Sequence, residues 1–507
     1  MARLSAATLS ARAQLTERDA KMKKRKNGSA WRSVAALAVV FVPLFGCRSS
    51  TSSSSRDRGE VAAGPTSALI AEFSGSYPLA ASPNGVVRSF DITAKPTRLP
   101  LIDGEPLAVW AYNGSVPGPT LRIRLGETLR VTFTNQLPQP TTIHWHGVRV
   151  PNGMDGVPNA TQPPIAPGET FVYEFTPKDA GTFWFHPHIR ASEQVERGLY
   201  GALVVEDAEP APYSNDVVWI LDDWLLDEHG QIVEAFNTLH DLAHDGRWGN
   251  VITVNGSTRE TLSVRSGDRI RLRLINSANG RVFSPDFSGL DAKVIAIDGM
   301  YLREPIAPTG LEIAPGNRVD LDVTFSAIAT RRIPIVDRFY AKTANHLADI
   351  VIDGIGGPPP SFASPAHAHV PRWSDALGTA VDRELRLNAR SGGQFGIEWT
   401  INGKAFAGHD KSEAALNLTR GSFYHLRFTN ESARLHPIHL HGMFFRLLGR
   451  NGVSADEPFF RDTVLVHGKE TVDVGVVPLD EGMWMLHCHI LEHAEAGMMT
   501  MIHVSPP

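Results

Sequence analysis

Three stretches of the chain share one pattern. Gly126, Gly267 and Gly421 each open a run that alternates apolar with polar residues and closes on an asparagine, at Asn135, Asn276 and Asn430. Alternation with a period of two marks a strand with one buried face. Upstream of each run lies a second match, Asn113-Gly114, Asn255-Gly256 and Asn402-Gly403. The closing asparagines stand 141 and 154 positions apart, which is the spacing of domains and far beyond a solenoid period. A chain of 507 residues has room for about three domains. The repeat therefore implies three copies of one β-domain in series.

Local composition sets the boundaries. Residues 206–215, with Pro210 and Pro212, separate the first copy from the second, and residues 354–371, with Gly356-Gly357-Pro358-Pro359-Pro360, separate the second from the third. The expected fold is all-β, with sandwiches over residues 85–209, 210–355 and 373–507 and a linker at 356–372. No long amphipathic helix is expected. Residues 222–242 are the best candidate for a helix or a long loop.

Residues 1–46 read as an export signal. A basic run, Lys21 to Lys26, precedes the apolar stretch 34–45, and the thirteen residues 34–46 are too few to cross a bilayer as a helix. Met22 would serve as the true start of a signal of ordinary length. Leu44-Phe45-Gly46-Cys47 resembles a bacterial lipoprotein cleavage box, in which Cys47 becomes the lipidated first residue. The alternative is an ordinary secretory signal with an incidental cysteine. Residues 47–84, Ser-rich at 49–55, would be a flexible tether. These features imply a protein exported to the periplasm or cell envelope, attached to the membrane if Cys47 is lipidated. Residues 1–46 hold nine Lys/Arg and two Asp/Glu, so 40 basic and 52 acidic residues remain without them, a net charge of −12. That balance excludes nucleic acid as a partner.

Half of the 20 histidines fall in four clusters. These are His144-Trp145-His146, His186-Pro187-His188, His436-Pro437-Ile438-His439-Leu440-His441, and His487-Cys488-His489 with His493 following. In a strand, residues i and i+2 share a face, so each His-x-His presents two imidazoles side by side. His144 and His146 lie 9 and 11 residues past Asn135, and His439 and His441 lie 9 and 11 past Asn430. Glu169 precedes His186 by 17 residues, as Glu470 precedes His487. Counting from Asn276 and Asn317 in the middle copy gives Pro285, Phe287 and Pro334. Copies one and three thus carry matching ligand pairs, and eight histidines would meet between them. The middle copy would be a spacer.

Imidazole alone leaves copper, zinc and iron open. Cys488 narrows the choice. It faces away from His487 and His489, toward His436, His493 and Met498. Two His, one Cys and a weak Met form the trigonal blue-copper set, and a closed zinc site would want another donor pattern. The thiolate would be joined to the histidine cluster through one residue on each side. With only Cys47 and Cys488 in the chain, a disulfide framework is not expected.

These four motifs, their order and the threefold layout resemble the multicopper oxidases, within them the bacterial laccase-like branch, from about Arg88 to Val504. The resemblance implies three consecutive cupredoxin-like Greek-key β-sandwiches and four copper ions. It also implies one-electron oxidation of a small-molecule or metal-ion reductant, coupled to four-electron reduction of O2 to water. Carried over by position, type 1 copper would take His436, Cys488 and His493 with Met498 axial, and type 2 copper would take His144 and His439. The type 3 pair would take His146, His186 and His489 on one ion, and His188, His441 and His487 on the other. Asp155 matches the family carboxylate near type 2 copper and is the candidate for proton delivery, with Cys488 as the electron relay. Bacterial relatives often carry a Glu after the last motif histidine; here that position is Ala494, flanked by Glu492 and Glu495. The Met-rich insert of copper-efflux oxidases is missing, since residues 354–400 hold no Met, which argues against oxidation of cuprous ion.

The plainer roles are these. Met498, beside Met499 and Met501, would also suit core filling, and Asp155 between Gly and Pro neighbours would also suit a turn. Trp110, Trp145 and Trp184 read as packing residues. His367 and His369 in the linker, and His229, His240 and His244 in the second copy, read as solvated. A second class of function, copper binding for resistance, would need no electron-transfer thiolate. The reductant and the oligomeric state are left open.

Overall fold

The computed structural model describes residues 80–102, 105–326, 330–340, 342, 344–367, 378–406, 408, 416–455, 457 and 459–507. The signal, Cys47, the Ser-rich segment and His369 lie outside the described residues.

Three sheet pairs follow one another along the chain, each built on the same plan. The first sheet of each copy contains a parallel pair: Val87–Leu99 with Thr128–Asn135, Asn215–Trp224 with Arg269–Asn276, and Arg383–Ser391 with Tyr424–Asn430. The second sheet contains another: Leu121–Arg124 with Gly201–Glu206, Glu260–Ser266 with Asn345–Ile355, and Leu416–Thr419 with Met499–Ser505. The fold is three cupredoxin domains in series.

The repeated asparagines show why the copies fold alike. Asn113, Asn255 and Asn402 have φ of +53°, each followed by a glycine also at positive φ, and each amide donates to the backbone of the neighbouring strand, at Asp91, Val218 and Glu384. Asn135, Asn276 and Asn430 are buried at the strand ends. Each amide donates to two carbonyls: Gln139 and Ile165, Arg281 and Ile313, Arg434 and His467. Each side-chain oxygen accepts from the N–H two residues on, of Leu137, Ala278 and Ser432, so the buried amide is satisfied without a ligand. Glu169, Asn317 and Glu470 hold equivalent places, each offering its carbonyl to the N–H of the closing asparagine.

Alternation is clean in Thr128–Asn135, where Leu129, Val131 and Phe133 point into the first core. It fails in Arg269–Asn276, which is buried on both faces after its first residue. The polar face there lies against the first copy: Arg273 reaches Thr182 Oγ1 at 2.7 Å and pairs with Asp216 and Asp320. A sheet face that looked solvent-bound is a domain interface.

Residues 222–242, expected as a helix or long loop, divide differently. The strand Asn215–Trp224 runs into them, and the only helix is the short Leu239–Ala243. His367 is half-buried, its N–H bound to the Leu302 carbonyl, and not fully solvated as expected. No helix among the described residues is long and apolar enough to cross a membrane.

Candidate metal centre

The second sheets of copies one and three carry the ligands. His144–His146 pairs antiparallel with Gly181–His186, with His144 opposite His186. In the third copy His436–Leu440 pairs with Gly482–Cys488, with His439 opposite His487. The two edges are clamped together by the Asn152 amide on the Met483 carbonyl, 2.6 Å, and by the Lys178–Asp480 ion pair.

Eight imidazoles thus converge between the copies. The Nδ1–H groups of His144, His186, His439 and His487 donate outward to the carbonyls of Asp155, Pro187, Asp462 and Cys488, at 2.7–3.0 Å. His441 Nδ1 donates to Asp155 Oδ2 at 2.9 Å. Such outer bonds fix both tautomer and ring orientation. The inner nitrogens, Nε2 of His144, His186, His188 and His439, are buried with no protein partner, as are both nitrogens of His489. The Nε2 atoms of His441 and His487 face one another at 3.1 Å. With both Nδ1 protonated, these are two lone pairs in contact, which is repulsive unless a cation lies between them. Burial pushes His146, His186, His188, His439, His441 and His489 toward the neutral form and His487 down to about 3, so their lone pairs are free for a metal. The residues fit a metal cluster.

Cys488 faces the other way, into the third core with Met498, Trp399 and Leu242. Its Sγ stands 3.6 Å from His436 Nδ1 and 3.8 Å from His493 Nδ1, and those two nitrogens are 3.2 Å apart. His493 Nε2–H donates to the His244 carbonyl at 2.8 Å, and His436 Nε2 meets Ser432 Oγ at 2.9 Å, whose own proton goes to Asn430. Both Nδ1 atoms are therefore bare and point at one spot. Burial, with the Glu492 and Asp245 carboxylates nearby, pushes the Cys488 thiol up, and a bound cation would reverse that by favouring the thiolate. Met498 is fully buried and locked beside the site, its carbonyl on Cys488 N–H and its N–H on the His493 carbonyl.

Asp155 lies behind the cluster. Its carboxylate contacts the outer nitrogens of His441 at 2.9 Å and His144 at 3.3 Å, one histidine from each half. Sequence reading missed its counterpart, Asp462, which contacts His146 at 3.3 Å and His439 at 3.4 Å. Burial would raise the Asp462 carboxyl, but the Arg318 guanidinium and His439 outweigh it and hold it well below the ordinary range. Arg318 comes from the middle copy, and so does Gly316. A Cβ on Gly316 (φ +89°) would sit 2.9 Å from both His146 and His489. Likewise a Cβ on Gly147 (φ +82°) would sit 2.1 Å from Arg318. The middle copy offers no histidine to the cluster, yet it is more than a spacer, because its close approach supplies the counter-charge.

Trp145 and Trp184 are buried as expected, and Trp184 also stacks on His186 with ring centres 4.3 Å apart. A cavity of about 440 Å³ opens onto His186, His188 and His487 and is lined by both Ala494 and Glu495. Glu495 there accepts from Ser192 N–H and the Asn237 amide.

Family models described as multicopper oxidase match residues 93–210, 215–349 and 379–507. The multicopper oxidase MmcO of Mycobacterium tuberculosis is 29% identical, over 88% of this chain and 96% of that protein. A solved multicopper oxidase from Pseudomonas thermotolerans is 34% identical, over 83% of this chain and 100% of that one, with a TM-score of 0.73. A Campylobacter jejuni structure described as a metallo-oxidase is 26% identical, over 85% of this chain and 94% of that one, with a TM-score of 0.68.

Proposed function

Since the chain belongs to the multicopper oxidase family, and so is a copper-binding oxidoreductase, we propose that it is a laccase-like enzyme. It would draw single electrons from phenolic or similar reductants and deliver four of them to each O2, with water as product. The observation that carries this reading is the strand Gly482–Cys488 and its continuation: Cys488 turns into the His436–His493 site while His487 and His489 turn into the eight-histidine cluster.

In this reading His436, Cys488, His493 and Met498 would hold type 1 copper. His144 and His439 would hold type 2, and the trios His146–His186–His489 and His188–His441–His487 would hold the type 3 pair. Bound there, four copper ions would supply one-electron uptake at the thiolate and dioxygen reduction at the cluster. The chain's own contribution is positional and electrostatic. Cys488 joins the two sites covalently. Asp155 and Asp462 orient two histidines each, and Asp155 is also the nearest candidate for holding a proton beside the cluster. Met498 as a weak ligand would give a lower potential than an apolar residue, so hard-to-oxidise phenols would need a mediator.

Export to the periplasm or cell envelope, with lipid attachment at Cys47, is part of the same proposal and rests on the signal-like residues 1–46. Oxidation of a metal ion is the second reading, favoured by the exposed histidines His240 and His244, whose rings stack 4.3 Å apart and one of whose carbonyls accepts from His493. Oxygen uptake separates them: the first reading expects consumption with a simple phenol, the second with Cu(I) or Mn(II). Copper bound without uptake from any reductant would leave only a copper-binding protein.

A further inference from the structure

The two rings at the Cys488 site are held from behind by different copies. His493 Nε2–H donates to the His244 carbonyl of the middle copy at 2.8 Å. His436 Nε2–H donates instead to a side chain of its own copy, Ser432 Oγ, at 2.9 Å. The Ser432 hydroxyl is fully committed. Its proton goes to Asn430 Oδ1 at 2.8 Å, and its other lone pair takes the Arg434 N–H at 3.1 Å. Asn430 is fixed in turn by its amide bonds to the Arg434 and His467 carbonyls, at 2.7 and 2.9 Å. The fully buried His436 ring therefore ends on a hydroxyl that cannot turn away without breaking two further bonds.

Within the threefold repeat this hydroxyl is particular to the third copy. Two residues past the closing asparagine stand Leu137, Ala278 and Ser432, and six past it stand Thr141, Val282 and His436. Leu137, Ala278 and Ser432 all donate their backbone N–H to the asparagine Oδ1, at 2.9–3.0 Å. Leu137 and Ala278 make this turn without a hydroxyl, so the turn does not require one. Serine stands there only in the copy whose residue four positions on is a ligand of the Cys488 site. The turn does not explain Ser432; the imidazole does.

We propose that Ser432 is a positioning residue for the Cys488 site, acting through His436 to lower its reduction potential. An acceptor on Nε2–H fixes the tautomer that leaves Nδ1 bare, and keeps the ring aimed at Cys488, 3.6 Å from Nδ1 to Sγ. It also draws on the Nε2 proton, which makes Nδ1 the stronger electron donor. A stronger donor favours the more highly charged cupric ion over the cuprous one. Ser432 thereby narrows the range of reductants the protein can oxidise. This inference rests on the proposed role of the Cys488 site in taking up electrons.

The test titrates the blue band of the copper-loaded protein against a ferrocyanide–ferricyanide couple. Wild type is compared with Ser432→Thr, Ser432→Val and Ser432→Ala; S432T and S432V match in shape, and only S432T keeps a hydroxyl. The equilibrium constant for reduction is expected to rise about tenfold in S432V and S432A, the lower end of what losing such an outer bond costs. For one electron that is a shift of about 59 mV. S432T is expected to stay within about twofold of wild type. Loss of copper from the Cys488 site in S432V and S432A, with copper kept in S432T, supports the same role. Equal potentials in S432T and S432V, or a lower potential in S432V or S432A than in wild type, overturn the proposal. So does loss of the blue band in S432T, S432V and S432A alike, which would make the position one of packing alone. Failure of the underlying reading is seen separately, in the wild type, as no blue band at full copper loading.

Discussion

Arg318 forks onto Asp462, its Nη2 2.6 Å from Oδ2 and its Nη1 2.9 Å from Oδ1, and both residues are fully buried. The partners lie 144 positions apart and in different copies. Through Asp462 the middle copy controls one histidine from each half of the cluster, His146 and His439.

Replacing Arg318 by Leu leaves that carboxylate buried without its counter-ion. Breaking a buried pair from one side typically costs about 3–5 kcal/mol. We expect a fall in thermal stability of that order and a loss of copper from the histidine cluster, with the blue band of the Cys488 site retained. Differential scanning calorimetry and metal analysis would check both. Unchanged copper content would show that Asp462 does not orient the ligands.

Asp155 touches the outer nitrogens of His144 and His441, so Asp155→Asn should weaken the cluster rather than the thiolate site. Loss of such a supporting carboxylate typically costs about 10–100-fold in metal affinity or activity. The pH profile of kcat distinguishes its roles. A residue that also delivers protons shifts that profile, whereas one that only orients rings lowers it evenly.

The parts of the site that were legible in the sequence were those set by local geometry. His-x-His on a strand fixes which face each ring takes, and the asparagine frame fixes where the strand lies, so the eight clustered histidines lie together and Cys488 faces the other way. Arg318, Asp462 and Gly316 left no such signal. Each acts across a domain interface, and nothing in the alternation of Arg269–Asn276 distinguishes arginines facing solvent from arginines facing Thr182 and Asp320. Helix Leu239–Ala243 was marked only within the broad candidate range 222–242, since five residues are too short to show a helical period.

The asparagine frame itself is testable in the copy that holds no ligand. Asn276→Ala orphans the Arg281 and Ile313 carbonyls and the Ala278 N–H, at about 1–3 kcal/mol for each buried group left unpaired. Stability should fall while the copper spectrum stays unchanged. A lost spectrum would mean that the middle copy holds the ligands through this turn.

Asp473 and His425 form a buried pair at 2.9 Å in the third copy, with Arg427 alongside. Burial would raise the Asp473 carboxyl, but its bonds to His425 and Arg427 lower it on balance. A carboxyl lower in the folded state stabilises above its unfolded pKa, and that contribution is lost as pH falls through the folded value. Asp473→Asn should therefore destabilise at neutral pH and approach the wild type below about pH 4, as read by urea titrations at several pH values. A gap that does not depend on pH would contradict this.

The most direct test of the central claim compares copper-loaded wild type with Cys488→Ser by absorption and oxygen uptake. The account predicts a strong band near about 600 nm in the wild type, as expected for a copper–thiolate site, with uptake of O2 when a phenol is added. In Cys488→Ser both should vanish while about three coppers stay bound, the number the histidine cluster would hold. A wild type without the band at full copper occupancy, or a Cys488→Ser variant that turns over unchanged, would contradict it.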